Sequence, residues 1–463
     1  MSAYADIFSR FEQKSPFAVL LRTIFQRLLP AEQLDKLFSD TAEKQYERTL
    51  LFSTLMTLMF EVVLRCSPSI NHSYKRHKDE VGVSAVAVYA KLNGLEPKIA
   101  AELVRYSVQQ LLPLQQILRA DVPPLLPGYN VRIIDGNKFS GTEHRLKGTR
   151  EHQASPLPGQ ALAILDPQVG MFLDIIPCED GHAQERSLFP KLEPLIEKND
   201  LWIADRNFAT LDLMFTIANK GAFFLMRQHG ALKTWTELGE EKRVGTSDTG
   251  WVYEQRISVA HPQTGKSMTM RRIRLVLFEP TRDGETEVVM LTNLSKKAAS
   301  AIVCCGLYRD RWGIEGAFLE MTQCLACEID MLAYPRAAIF AFCLAAMLYN
   351  AVSLMKSVIA VVHGEETVDN MSWYYAYTET QAIWSGMEIA LPFEFWSERF
   401  DAMPDEEFCG YLKELSGKID MSKFAKSRRG PKKKVVKAYD PKVNHVSTFK
   451  VLQERKNKAK LAP

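Results

Sequence analysis

Two short, mainly apolar runs that each end on an aspartate constrain the fold of this chain most strongly. Residues 131–134 read VRII before Asp135, and residues 201–204 read LWIA before Asp205. Runs of this length and composition are typical of strands buried on both faces of a parallel sheet. Side chains at the carboxyl ends of such strands lie at one edge of the sheet, where α/β proteins form their sites. The pattern therefore predicts an α/β fold in which both aspartates contribute to one site.

A third carboxylate follows in a segment with helical periodicity, which reads LYRDRWGIEGAFLE. At about 100° per residue, Tyr308, Arg311 and Glu315 fall within an arc of about 60° on a helix. Glu320 lies about 140° away from Glu315 on such a helix, so it points elsewhere. The spacing predicts one helix that presents an aromatic ring, a guanidinium and a carboxylate to the same site as the two aspartates.

The elements around these acids also follow a recognisable order. Strand patterns occur in NVRIID, ALAILD, GMFLDII, LWIAD and AFFLMR, and helical patterns occur in QERSLFPKLEPLIEK and TLDLMFTIANK. The resulting β-β-β-α-β-α-β order, followed by the helix with Glu315, is similar to that of a ribonuclease H-like catalytic core. The predicted division is a helical N-terminal domain (1–120), this core (128–227 and 287–360), a β-rich insertion (228–286), a helical C-terminal region (361–416) and a basic C-terminal tail (417–463).

Three acids at one site suit divalent metal ions. Two ions about 4 Å apart can activate a water or a 3'-hydroxyl and stabilise the leaving oxygen of a phosphodiester. Mg²⁺ prefers carboxylate oxygens, so Asp135, Asp205 and Glu315 are predicted to be catalytic residues and ligands of two Mg²⁺ ions, with Mn²⁺ able to substitute. Taken singly, an aspartate after a strand is more often a turn former or a helix cap. The order of all three acids favours the catalytic interpretation.

The three segments together resemble the motifs of DDE transposases of bacterial insertion sequences, in the insertion sequence family four branch with the YREK signature. The DG motif of that family matches Asp135 and Gly136, its D-R-x-[FY] motif matches residues 205–208, and its Y-x2-R-x3-E-x6-K signature matches Tyr308, Arg311 and Glu315.

One position of this signature departs from the family. The family's lysine would fall at residue 322, which is Thr322 here, on the same helical stripe but without charge. The resemblance implies that Tyr308 and Arg311 hold the phosphates of transposon-end DNA beside the metal site. The missing lysine puts one such phosphate contact in doubt.

Residues 228–286 differ in character, because alternating patterns in WVYEQRISV and MRRIRLVLF predict strands. The resemblance implies that such an insertion handles the cleaved DNA end, and it leaves open whether a DNA hairpin forms. Trp235 and Trp251 are candidates to stack on an extruded base. An aromatic residue in an alternating strand is more often part of the core, and core packing is the favoured interpretation for Trp251 and for Trp312.

Positive charge is concentrated near the C-terminus. Residues 411–463 contain 16 Lys and Arg but 4 acidic residues, whereas the whole chain has a net charge of +3. Such a tail suits contacts with DNA phosphates, although a tail that only aids solubility remains the alternative. Arg206 and Lys138 are weaker candidates for phosphate contacts. The predicted contacts within the tail are Lys426, Arg428, Arg429, Lys432, Lys433 and Lys434.

Residues 1–120 carry helical patterns, and residues 83–112 resemble two helices around a turn at Asn93 and Gly94. This pair is a candidate helix-turn-helix for reading transposon ends, although many helical hairpins have the same spacing. The cations that would lie on phosphates just upstream of the pair are Lys75, Arg76 and Lys78.

The chain is expected in the bacterial cytoplasm, associated with the nucleoid when it binds DNA. Its start lacks the apolar core of a secretory signal, and its eight cysteines lack the spacing of a disulfide framework. The longest apolar run covers 13 residues from Ala337 and ends before Asn350, whereas a membrane span needs about 20. We therefore expect a buried helix with Pro335 in its first turn, covering the core sheet, and no membrane partner.

These patterns predict a cut-and-paste DNA transposase. Its expected partners are double-stranded DNA, as terminal inverted repeats and as target, and a second copy of the chain in a synaptic complex. Two alternatives remain open, a catalytically silent DNA-binding protein derived from a transposase and a ribonuclease H-like nuclease. The intact acid triad argues against the first, and the basic tail with the Tyr308 and Arg311 pairing argues against the second.

Overall fold

The computed structural model describes residues 2–45, 49–140, 146–150, 157–232, 234–281, 284–329, 332–427, 430 and 447–461. The helices that precede the first strand are α1 (Ser2–Lys14), α2 (Pro16–Gln26), α3 (Ala31–Thr41), α4 (Phe52–Val63), α5 (Ile70–Arg76), α6 (Lys78–Val81), α7 (Ala85–Gly94) and α8 (Pro97–Leu118).

A mixed α/β region follows these helices. Its elements are β1 (Asn130–Lys138), β2 (Gln160–Asp166), β3 (Met171–Cys178), α9 (Phe189–Leu192), β4 (Asp200–Ala204), α10 (Leu211–Asn219), β5 (Phe223–Arg227), β6 (Thr236–Glu237), β7 (Lys242–Ser247), β8 (Gly250–Ala260), β9 (Ser267–Leu277) and β10 (Glu287–Thr292). The rest of the described chain is helical. Its helices are α11 (Ala301–Asp310), α12 (Trp312–Cys324), α13 (Pro335–His363), α14 (Glu365–Asp369), α15 (Trp373–Ala390), α16 (Phe393–Phe400), α17 (Asp405–Gly417) and α18 (Thr448–Leu461).

In the described part of the chain, the strands form one sheet in the order β3-β2-β1-β4-β5-β10-β9-β8-β6, and β7 also pairs with β8. Strand β1 is antiparallel to β2 and parallel to β4, and β4 is parallel to β5. The five strands predicted from NVRIID, ALAILD, GMFLDII, LWIAD and AFFLMR are therefore confirmed. The strands of the predicted insertion do not form a separate layer, because β10 pairs with both β5 and β9 and so continues the same sheet.

The helix predicted from QERSLFPKLEPLIEK is wrong in its extent. The segment forms a 3-10 turn at Glu185–Leu188, the short helix α9 and a second 3-10 turn at Glu193–Leu195. Pro190 and Pro194 explain the breaks, since proline donates no backbone hydrogen bond and clashes with the preceding turn.

Helices cover both faces of the sheet. On one face, Ile133, Leu201 and Leu225 belong to the larger hydrophobic core, to which α8 and α13 also contribute and in which both helices pack on β3. The other face packs Trp202 and Phe224 against α10 and the turns around α9. Burial on both faces explains why these strands read as continuous apolar runs rather than as alternating ones.

Helix α13 confirms the predicted buried helix. Pro335 occupies its first turn, and the helix passes through Asn350 without a break. The Asn350 side chain accepts a hydrogen bond from Phe172 N at 2.7 Å and donates to Phe172 O at 2.8 Å and to Ser107 Oγ at 2.8 Å. A buried amide thus satisfies backbone groups of the edge strand β3. By length and composition α13 could cross a membrane, but its most apolar window is 100% buried within the protein.

One N-terminal helix is shorter than its sequence pattern predicts. Residues 45–65 read QYERTLLFSTLMTLMFEVVLR, an apolar-rich helical pattern, but α4 begins only at Phe52, and residues 46–48 lie outside the described residues. The predicted helix pair exists as α7 and α8, but half of the residues of α8 are buried, and α8 packs on β3 and α13. The use of this pair in reading transposon ends stays a prediction.

Candidate active site

The two aspartates lie side by side at one edge of the sheet. In the parallel pairing of β1 with β4, Ile134 is opposite Ala204, so Asp135 and Asp205 continue adjacent strands at the same end. Neighbouring strands are about 4.8 Å apart. The backbone N–H of Gly136 donates to Asp135 Oδ1 at 2.9 Å, and that of Asn207 donates to Asp205 Oδ1 at 2.8 Å. These bonds orient both carboxylates at the strand ends.

The third carboxylate is joined to the first by an arginine. The Arg311 guanidinium donates through Nη1 to Asp135 Oδ2 at 3.0 Å and through Nη2 to Glu315 Oε1 at 2.8 Å. Its side chain is 8% exposed, whereas that of Glu315 is 44% exposed. The guanidinium thus bridges two of the three acids. The predicted contact of Arg311 with DNA phosphates stays a prediction.

The single helix predicted around these residues is two helices. Arg311 lies between α11 and α12 with helical dihedral angles, φ −51° and ψ −34°. The hydrogen bonds there span three residues, from Arg311 N to Tyr308 O and from Ile314 N to Arg311 O, each 3.2 Å. This local 3-10 geometry tightens the turn. Tyr308 is nonetheless on the same side, with its ring 5.9 Å from the Arg311 guanidinium carbon, and burial raises its pKa.

The charged form of the Asp135 carboxyl is unfavourable in the folded protein. Burial raises the pKa of this carboxyl from 3.8 to about 6; Arg311 opposes that effect, and the charges of Asp205 and Glu315 add to it. A carboxylate in this setting is stabilised by a nearby cation. Such perturbed carboxyl groups are frequent in active sites.

A fourth acid, Glu185, which the sequence patterns did not mark, lies near the ends of the two strands that carry Asp135 and Asp205. The Glu185 carboxyl packs against Gly136 so closely that a Cβ at residue 136 would be 2.3 Å from Glu185 Oε1. Burial and the neighbouring charge of Asp205 raise the pKa of Glu185, and Lys138 and Arg186 oppose this. The close approach places the Glu185 carboxyl next to the backbone of Gly136. No motif marked Glu185, because a 3-10 turn after β3 brings it to the site.

The other predicted DNA contacts are dispersed. Arg206 is exposed beside Asp205 and forms a 3.5 Å ion pair with Glu285. Lys138 is exposed at the end of β1. Lys426 donates to the Asp369 carbonyl in the C-terminal region. The remaining tail predictions, Arg428, Arg429, Lys432, Lys433 and Lys434, lie outside the described residues.

Two predictions of core packing are wrong. Trp312, the first residue of α12, is 61% exposed. Trp251 is 41% exposed on β8, with Phe278 at 5.3 Å and the Arg243 guanidinium at 5.7 Å from its ring. Alternation placed Trp251 on the face of the buried Ile257, but the packing on that face does not reach the end of the strand where Trp251 lies. Trp235 is partly buried against the smaller core.

The donor chemistry of the site fits a hard divalent cation, since the acids offer carboxylate oxygens and Asp135 is destabilised in its charged form. Among the described residues, no three acidic, histidine or cysteine side chains are grouped closely enough to hold one ion. Arg311 lies between Asp135 and Glu315 in this arrangement. Asp135 and Asp205, on neighbouring strands, are the pair best placed to share a ligand.

The site is therefore a cluster of carboxylates on a mixed sheet. Two of them lie at the ends of adjacent parallel strands, and an arginine joins one of these two to a glutamate on a following helix. Residues 126–351 match the family model described as a transposase DDE domain. This segment contains the whole sheet and Asp135, Asp205 and Glu315, and the match supports a DDE transposase enzyme. None of the curated proteins matches the chain.

Proposed function

We propose that the protein is a metal-dependent DNA transposase that cleaves at transposon ends and joins the freed 3'-hydroxyl to target DNA by a cut-and-paste route. The observation that carries this proposal is the placement of Asp135 and Asp205 at the ends of adjacent strands, with Arg311 linking Asp135 to Glu315, within the segment that matches the transposase DDE domain. The motif resemblance further favours the insertion sequence family four branch.

A ribonuclease H-like core is part of this proposal. Its support is the strand order β3-β2-β1-β4-β5, in which the first three strands are antiparallel and β1, β4 and β5 are parallel. That order puts the first and fourth strands side by side, which brings their terminal acids together.

Each residue has a distinct task in the proposed reaction. Asp135, Asp205 and Glu315 would hold two Mg²⁺ ions, which when bound supply an activated water or 3'-hydroxyl and stabilise the leaving oxygen. Arg311 keeps Asp135 and Glu315 near each other and supplies positive charge beside the reacting phosphate. Tyr308 packs beside the Arg311 side chain and limits its movement.

DNA and a second copy of the chain are the proposed partners. DNA phosphates would meet the exposed cations beside the site, Arg206 and Lys138, and the basic tail. The exposed Trp251, flanked by Phe278 and Arg243, is the better placed of the two candidate aromatic residues for stacking on an extruded base. Two copies would act together because two transposon ends must be cut and joined.

The triad is tested by replacing each acid with alanine. Asp135→Ala, Asp205→Ala and Glu315→Ala should each abolish Mg²⁺-dependent strand cleavage of DNA that carries the element's terminal repeats, and each should keep DNA binding, because the basic surfaces remain. Asp310→Ala is the matched control, since Asp310 is an exposed acid at the end of α11 and should leave cleavage unchanged.

Cleavage at the wild-type rate by any of the three variants would refute the triad. The two alternatives give different outcomes with the wild-type chain. DNA binding without cleavage at any Mg²⁺ or Mn²⁺ concentration would indicate a silent DNA-binding protein. Cleavage without strand transfer and without preference for the terminal repeats would indicate a nuclease.

A further inference from the structure

The residue that follows the C-terminus of α4 has an unfavourable backbone conformation. Arg65 has φ 63°, in the left-handed region, and helix α4 ends there with a bond from Ser67 N to Glu61 O at 3.0 Å. Glycine is the usual residue at this position of a helix end, because a side chain is strained there. An arginine in a strained backbone conformation indicates that its side chain has a structural or functional role that offsets the strain.

The Arg65 side chain lies at the far end of the helix that carries Glu315. Its Nη2 donates to the carbonyl oxygens of Thr322 at 3.0 Å and Leu325 at 3.1 Å, at the C-terminus of α12. The residue is exposed, and within the described chain no carboxylate lies within ion-pair distance of its guanidinium. The positive charge is therefore open to a ligand from solvent.

The surface between Glu315 and Arg65 is an exposed ridge of α12. Trp312 is 61% exposed and Leu319 is 55% exposed, and Thr322 is also exposed. Glu315 and Thr322 are seven residues apart, so they lie on the same side of the helix and about 10 Å apart along its axis. A duplex laid along this ridge would advance about three base pairs over that distance.

We propose that Arg65 binds a phosphate of the DNA backbone about three nucleotides from the scissile phosphate. This inference rests on the proposed function, because the position is defined relative to Glu315. The two hydrogen bonds to α12 both use Nη2, so Nη1 and Nε, which have no described hydrogen-bond acceptor, can donate to a phosphate. The alternative role is purely structural, as a cap on the last carbonyl groups of α12.

The first test compares Arg65→Gly and Arg65→Lys in the full chain. We measure thermal unfolding and the affinity for a short random-sequence duplex over a range of NaCl concentrations. Arg65→Gly should lower the slope of log K against log salt by about 0.9, as expected for one lost phosphate contact, whereas Arg65→Lys should keep the slope. Glycine adopts the positive φ of residue 65 without strain, which stabilises the fold, whereas the loss of the two hydrogen bonds to α12 destabilises it. The Tm of Arg65→Gly should therefore fall by no more than the loss of those two bonds causes.

Asn199→Gly is the matched control. Asn199 is the other described residue besides glycine with positive φ, at 67°, and it precedes β4 at the end opposite Asp205. Its replacement relieves the same kind of strain without changing charge, so Tm should rise and the salt slope should stay the same.

The second test locates the contact. A neutral methylphosphonate is placed at one phosphate at a time in DNA that carries the cleavage site. Wild-type protein should lose affinity at a position about three nucleotides from the scissile phosphate, and Arg65→Gly should be insensitive there. Equal sensitivity of both proteins, with equal salt slopes, would make Arg65 a structural cap only. A wild-type protein that binds no DNA would overturn the proposed function as well.

Discussion

Replacing Asp135 by asparagine should stabilise the protein at neutral pH while removing its activity. The side chain is 18% exposed, and burial with the charges of Asp205 and Glu315 raises its pKa from 3.8 to about 6 despite Arg311. One pH unit corresponds to about 1.4 kcal/mol, so the charged form costs the folded state about 3 kcal/mol at pH 7. Asparagine has the same shape and no charge, so this cost disappears.

The stabilisation by Asp135→Asn should appear only as pH rises. The folded protein binds the proton of Asp135 more tightly than the unfolded chain does, so this group favours folding below pH 3.8 and loses that contribution as pH rises to about 6. The free energy of unfolding of Asp135→Asn should match that of wild type near pH 4 and exceed it by about 3 kcal/mol at pH 7. Urea unfolding followed by circular dichroism at several pH values measures the free energies of unfolding of the wild type and of the variant.

A control of opposite sign is available at Asp180. Burial acts to raise the pKa of Asp180, but hydrogen bonds from Ser447 and from the backbone of His182, with the charge of Lys450, hold it below its ordinary value. Asp180→Asn should therefore lose stability at neutral pH and approach wild type as pH falls. A stability of Asp135→Asn that equals wild type at pH 7, or a gain that is the same at every pH, would refute the electrostatic reasoning.

Two further predictions concern DNA. Deleting residues 423–437 should weaken binding to transposon and unrelated duplexes alike and reduce the salt slope by about 0.9 per lost contact; an unchanged slope in a salt titration would mean that the tail does not contact phosphates. Arg311→Ala should strongly reduce end cleavage, because it removes the only group that joins the Asp135 and Glu315 carboxylates in the described structure, whereas Thr322→Lys, at an exposed position, should be tolerated and strengthen end binding modestly. Loss of activity in Thr322→Lys together with full activity in Arg311→Ala would contradict the orientation of α12.

Local patterns predicted the elements around the site well. The sequence predicts the strands before Asp135 and Asp205 because each is a short apolar run buried on both faces, and it predicts α13 from the 13-residue apolar run at Ala337 and from Pro335 in the first turn, although the helix extends to His363. The helical periodicity predicted helices that are too long where the backbone cannot continue a regular helix. The segment around α9 breaks at its prolines, and the helix expected to carry Arg311 without interruption divides there.

Exposure was harder to predict than secondary structure. Trp312 and Trp251 are apolar side chains at regular positions, yet 61% of Trp312 and 41% of Trp251 are exposed, because the described elements around them cover them only in part. Helix α8 shows the converse, since contacts with β3 and α13 cover the buried half of its residues and the local sequence names neither partner. Coverage depends on contacts between residues far apart in the chain, which a local pattern does not contain.

The sequence by itself determined which residues end the strands and which share a face of a helix, because strand and helix periods follow from backbone geometry. It thereby placed Asp135 beside Asp205. Only the tertiary structure decided that Arg311 bridges Asp135 and Glu315 and that Glu185 packs on Gly136. Those contacts join segments separated by tens to hundreds of residues, and they arise from how the helices pack on the sheet rather than from any local preference.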